Sequence, residues 1–97
     1  MNVIKYEGYN PKEGTLFDLE EAKIYKKKHL YGAVNIPYDK LMANYKKILD
    51  KEKKYFIYCR KGVKSKKAIS ILEYNGYDVT QVINEWFFLA KIYWITL

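Results

Sequence analysis

The sequence predicts an α/β domain with a mainly parallel five-stranded sheet flanked by helices on both faces. Three observations carry that expectation. Short β-branched and aromatic runs alternate along the chain with segments of helical periodicity, the order that right-handed crossovers turn into parallel strands. The run Tyr55-Phe56-Ile57-Tyr58 has no polar alternation, as expected of a strand covered on both faces. Gly76 stands where one helix should end and the next strand begin.

Taken in order, Val3-Ile4-Lys5-Tyr6 alternates and predicts a first short strand, and Gly8-Tyr9-Asn10-Pro11 with Glu13-Gly14 is turn chemistry. Thr15-Leu16-Phe17 predicts a second strand that stops at Asp18. From Asp18 the pattern is helical, with Glu20 and Glu21 in the first turn and Lys26, Lys27 and Lys28 in the last, complementing the helix dipole. Leu19, Ala22 and Tyr25 share its inner face, with Ile24 beside them. His29-Leu30-Tyr31-Gly32 ends this helix, and Ala33-Val34-Asn35-Ile36 predicts a strand stopped by Pro37. Asp39 is the expected N-cap of a helix carrying Leu41, Tyr45, Ile48 and Leu49. After the strand Tyr55 to Tyr58, a helix beginning near Ser65 turns Ala68, Ile71 and Leu72 inward, and Val79 to Ile83 predicts the fifth strand. The apolar run from Trp86 to Ile95 predicts a closing helix packed on the sheet, apolar on enough faces to offer a contact to a second copy.

Bulk composition narrows the function classes. Ninety-seven residues make a single domain over 1–97, and 49% hydrophobic residues with 18% aromatic ones exclude a disordered chain. The formal net charge of +7 comes from lysines scattered along the chain, which is the pattern of a solvated surface, so specific nucleic-acid binding is not expected. One cysteine excludes an internal disulfide and fits a reducing compartment; with no Cys or His set at zinc spacing, neither a metal nor another cofactor is expected. The amino terminus lacks the apolar core of a secretory signal, and Trp86 to Leu97, interrupted by Lys91, is shorter than the roughly 20 residues that cross a bilayer. A cytoplasmic location without membrane contact is expected.

The chemistry converges on Cys59-Arg60-Lys61-Gly62-Val63-Lys64-Ser65. The cysteine stands at the carboxyl end of a buried strand, where ligands of open α/β sheets collect. Arg60, Lys61 and Lys64, with the amino end of the following helix, favour thiolate over thiol. Gly62 lets the backbone take positive φ, so the amides from Arg60 to Ser65 can converge on an anion. These residues suit a covalent intermediate on sulfur, and with no second cysteine the acceptor must come from outside. The plainer reading makes Cys59 a small buried hydrophobe beside solvated cations.

The chain resembles a single-domain rhodanese, a sulfurtransferase of three-layer α/β fold. Cys59 to Ser65 is similar to that family's active-site loop. Phe17-Asp18-Leu19 followed by His29-Leu30-Tyr31-Gly32-Ala33-Val34-Asn35-Ile36-Pro37 is similar to its amino-terminal signature, and Asn75-Gly76-Tyr77-Asp78-Val79 to its turn into the last strand. The resemblance runs from about Thr15 to Ile83. It implies that Cys59 takes a sulfane sulfur from a donor such as thiosulfate, becomes a persulfide, and passes the sulfur to cyanide, a thiol or an acceptor protein. Arg60, Lys61 and Lys64 would bind the anionic donor, Lys61 and Lys64 steering it, while Gly62, Val63 and Ser65 supply backbone. Asp18 and His29 would be structural supports, His29 hydrogen-bonded rather than acting as a base. The related phosphatases of this fold carry an arginine six positions after the cysteine, where this chain has Ser65, so phosphatase or arsenate reductase activity is the minor alternative. A non-catalytic binding module of the same fold is the other, and either a monomer or a homodimer is compatible. Three positions depart from the family's usual pattern: Glu20 stands for arginine, Lys64 for arginine, and Asn84-Glu85 for a Gly-Gly pair. The first is expected to remove a structural ion pair, and the last to reshape one wall of the site.

Overall fold

The computed structural model describes residues 1–84 together with the backbone of Tyr93–Trp94. Five strands, β1 (Asn2–Lys5), β2 (Thr15–Asp18), β4 (Val34–Asn35), β5 (Lys54–Tyr58) and β6 (Asp78–Ile83), form one sheet in the order β1-β6-β5-β2-β4. Every pairing in it is parallel. Three helices connect them: α1 (Ala22–Lys27), α2 (Tyr38–Ile48) and α3 (Val63–Tyr74). β3 (His29–Leu30) pairs antiparallel with β7 (Tyr93–Trp94) outside this sheet.

The two faces of the sheet bury separate cores, as strand alternation requires. Tyr55 and Ile57 of β5 with Val79 of β6 pack against Leu41 and Leu49 at α2 and Ala68, Ile69 and Leu72 of α3. Leu16, Phe56, Tyr58 and Val82 point the other way, toward Leu30, Ala33 and Tyr25. Burial on both faces explains the unbroken apolar run of β5.

Several boundaries differ from the expectations. α3 starts at Val63, so Ile69 is fully buried while Ile71 is exposed on the outer face. α1 is shorter than the helical pattern because Asp18 to Glu20 form a turn, and Ala22 is exposed. The N-cap of α2 is Pro37, with Asp39 inside the first turn and no side-chain cap. Pro37 suits that end of the helix, where an amide would lack an intrahelical partner. The closing helix expected over 86–95 lies outside the described residues except at Tyr93–Trp94, which are extended rather than helical. Gly76 ends α3 as expected: φ is +88°, and Gly76 and Tyr77 donate to the carbonyls of Glu73 and Leu72, a Schellman closure.

The connections fix where a site can form. From β2 the chain moves outward to β4 at one edge, returns to β5 on the opposite side of β2, and continues to β6. The β2–β5 boundary is therefore the point where crossovers diverge, and the carboxyl ends of these strands flank an open crevice. Cys59 follows β5 and Glu20 follows β2 at that point. Among the described residues no helix is long and apolar enough to cross a membrane.

Candidate active site

Cys59 is only 4% exposed, and its sulfur is held at the amino end of α3. The amide of Ser65, in the first turn, donates to Sγ at 3.2 Å, so the sulfur satisfies one of the donors a helix start leaves unpaired. Sγ also lies 3.4 Å from Ser65 Oγ. Gly62 is the residue before the helix and has φ +82°, a left-handed conformation that a side chain would strain. That reversal folds the loop back over the sulfur.

A second strand holds the loop from beneath. Gln81 of β6 is buried and shares the pleat face of Val79, under α3. Its Nε2 donates to the Gly62 carbonyl at 3.1 Å and to Ser65 Oγ at 2.8 Å. Ser65 Oγ also lies 3.2 Å from the Gly62 carbonyl. The serine hydroxyl proton can thus serve either that carbonyl or the sulfur, with Gln81 covering the carbonyl in the second case. Gln81→Leu leaves these acceptors short of donors, and is expected to cost about 1–3 kcal/mol. The checks are a lower denaturant midpoint and faster alkylation of Cys59 by iodoacetamide as the loop loosens.

The third support comes from β2. The Leu19 amide donates to the Tyr58 carbonyl at 2.9 Å and the Ile36 amide to the Asp18 carbonyl at 3.0 Å. Asn35 Nδ2 bridges the carbonyls of Asp18 and Glu20 at 3.0 and 2.8 Å. Asp18 is 2% exposed, and its Oδ1 accepts the Glu20 amide at 2.8 Å. Burial pushes its carboxyl up to about 6; the Glu20 amide opposes this, the Glu20 carboxylate adds to it, and His29 and Arg60 oppose it. So fastened, Glu20 extends to the loop after β5: Oε2 accepts the Arg60 amide at 2.9 Å and Oε1 lies 3.7 Å from Lys64 Nζ. Whatever ion pair the glutamate at this position removes, Glu20 makes one of its own with Lys64.

These elements open into a cleft of about 790 Å³. Cys59, Arg60, Lys61, Val63 and Lys64 line it with Glu20, and Lys28 and Lys67 add two further cations. Gly62 and Ser65 stand behind the lining and shape the loop. Asp18 lies behind Glu20 rather than in the cleft. His29 borders a smaller neighbouring cavity of about 190 Å³, where Nδ1 donates to the Tyr25 carbonyl at 2.8 Å and the ring stacks on Tyr25 at 3.7 Å. Among the described residues no group of three or more His, Cys, Asp or Glu side chains could hold a metal.

The sequence reading missed Gln81 and the reach of Glu20. Gln81 had a signal, a lone polar side chain on the same pleat face as Val79 within a run that is otherwise β-branched from Val79 to Ile83. The Glu20–Arg60 bond spans 40 positions and has no local signature.

A cysteine at a strand end, held by the Ser65 amide at a helix start, and a cationic rim define the class to which comparison then assigns the chain. The model of the rhodanese-like domain matches residues 6–86, and the protein belongs to that family. Among solved structures, a rhodanese-related protein from Thermoplasma volcanium is 29% identical with a TM-score of 0.73, covering 86% of this chain and 84% of its own. A rhodanese with anions from E. coli is 30% identical with a TM-score of 0.57, covering 74% and 84%. The CoADR-RHD protein of Bacillus anthracis is 25% identical with a TM-score of 0.74; the match covers 84% of this chain and 15% of that one. Comparison with curated proteins gives no match.

Proposed function

We propose that the protein is a sulfurtransferase that carries a sulfane sulfur as a persulfide on Cys59. The observation that carries this reading is the sulfur itself, which receives the Ser65 amide at the helix start and faces a cleft rimmed by cations. In the first step the Cys59 thiolate attacks the outer sulfur of thiosulfate. The S–S bond to the sulfonate breaks, sulfite leaves with the electron pair, and Cys59 holds S–S⁻. In the second, cyanide or a thiolate attacks the terminal sulfur, the new S–S bond breaks, and the Cys59 thiolate returns.

Each neighbour has a task in this scheme. Lys61 and Lys64 steer the anionic donor, with Arg60 contributing charge at the rim. The terminal persulfide anion sits beneath the turn from Lys61 to Lys64, whose amides can converge on it because Gly62 takes positive φ. Val63 and Ser65 shape that turn through their backbone. The partners are a small anionic sulfur donor and a thiol, cyanide or protein-borne acceptor. Thiocyanate release from thiosulfate and cyanide tests the reading: turnover by the intact chain supports it, and no turnover with any sulfane donor counts against it.

A further inference from the structure

We propose that Glu20 is a specificity-determining residue that biases the site away from inorganic dianions such as thiosulfate and toward organic persulfides carrying one negative charge at sulfur. The inference rests on the sulfurtransferase reading and names the donor class for the same site.

Two observations carry it. Glu20 brings a fixed carboxylate to the loop, bonded to the amide of the residue next to Cys59 and paired with Lys64, one of the cations assigned to donor binding. It is 8% exposed and its backbone is tied to Asp18 and Asn35, so it stays in place when an anion enters. Its charge repels a dianion twice as strongly as a monoanion, whereas Arg60, Lys61, Lys64, Lys28 and Lys67 attract anions around the wider rim. The second observation is room. A cleft of about 790 Å³ falls within the roughly 300–1,000 Å³ of pockets that enclose drug-sized ligands, far more than a few sulfur and oxygen atoms fill. Ile24, Tyr58 and Val63 give part of its lining an apolar character suited to an organic group.

The step is the same displacement with a different leaving group. The Cys59 thiolate attacks the outer sulfur of R–S–S⁻, the S–S bond breaks, and R–S⁻ departs with the electron pair and takes a proton from solvent, leaving Cys59–S–S⁻. No oxidant or reductant is consumed.

The test compares the full chain with Glu20→Gln, which keeps an oxygen for the Arg60 amide while removing the charge. The donors are thiosulfate and cysteine persulfide, with cyanide as acceptor. The ratio of kcat/KM for thiosulfate to that for persulfide is expected to rise about tenfold in Glu20→Gln, mainly through the KM for thiosulfate. Glu20→Asp, which retains the charge, should move the ratio much less, and Glu73→Gln, far along α3, should not move it. Inorganic sulfate titrated by calorimetry should bind Glu20→Gln about tenfold more tightly, independently of any transfer. Glu20→Ala replaces the glutamine variant in both measurements if that variant fails to fold. An unchanged ratio, or sulfate binding no tighter without the charge, overturns the proposal. Absence of turnover with both donors contradicts the sulfurtransferase reading instead, and sulfate binding then decides the role of Glu20.

Discussion

Cys59→Ser is expected to lower thiocyanate formation at least ~1,000-fold while leaving the fold in place. The serine oxygen fits where sulfur sat and accepts the same Ser65 amide, so the loop retains its anchor. What it cannot do is carry a sulfane sulfur to an acceptor. The change removes the nucleophile rather than the binding site. Sulfate affinity should therefore survive within a few-fold, and circular dichroism should match the parent chain. Retained turnover in Cys59→Ser would move the chemistry to another group.

The second large effect is on stability. Asp18 is buried at 2% exposure, with its carboxyl raised from 3.8 to about 6. Because the folded value lies above the unfolded one, its favourable contribution is complete below pH 4 and is lost as pH rises through 6. The shift corresponds to about 3 kcal/mol at pH 7. Asp18→Asn keeps an oxygen for the Glu20 amide and removes the buried ionisation. Its stability relative to the parent should climb between pH 4 and 7, measured from urea midpoints at each pH. Parallel curves would show that the carboxyl does not titrate in this window.

Much of this was legible because it depends on local chemistry. The apolar run Tyr55 to Tyr58 announced a strand buried on both faces, and Gly76 announced the helix closure that Tyr77 and Leu72 complete. The strand, cysteine, glycine and helix order placed the loop correctly. Less legible were features set by distant packing. Ile71 and Ile69 are two residues apart, and only the true start of α3 at Val63 decides which faces the sheet. Asp39 has the chemistry of an N-cap, yet Pro37 already starts the helix with a fitting backbone. Glu20 reads as a first-turn acid of α1, because nothing nearby reveals that Arg60 and Lys64 are its partners. Gln81 sits 16 and 19 positions from the groups it holds, and its role emerges only once β6 lies beside β5. In both cases local pattern fixed the element, while the site depended on which strand ends the topology brought together.

The most direct test is the intact mass of the protein after incubation with thiosulfate or cysteine persulfide. The account predicts a single added sulfur on Cys59, released by cyanide and missing in Cys59→Ser. A folded chain whose Cys59 alkylates normally but takes no sulfur from either donor would contradict it.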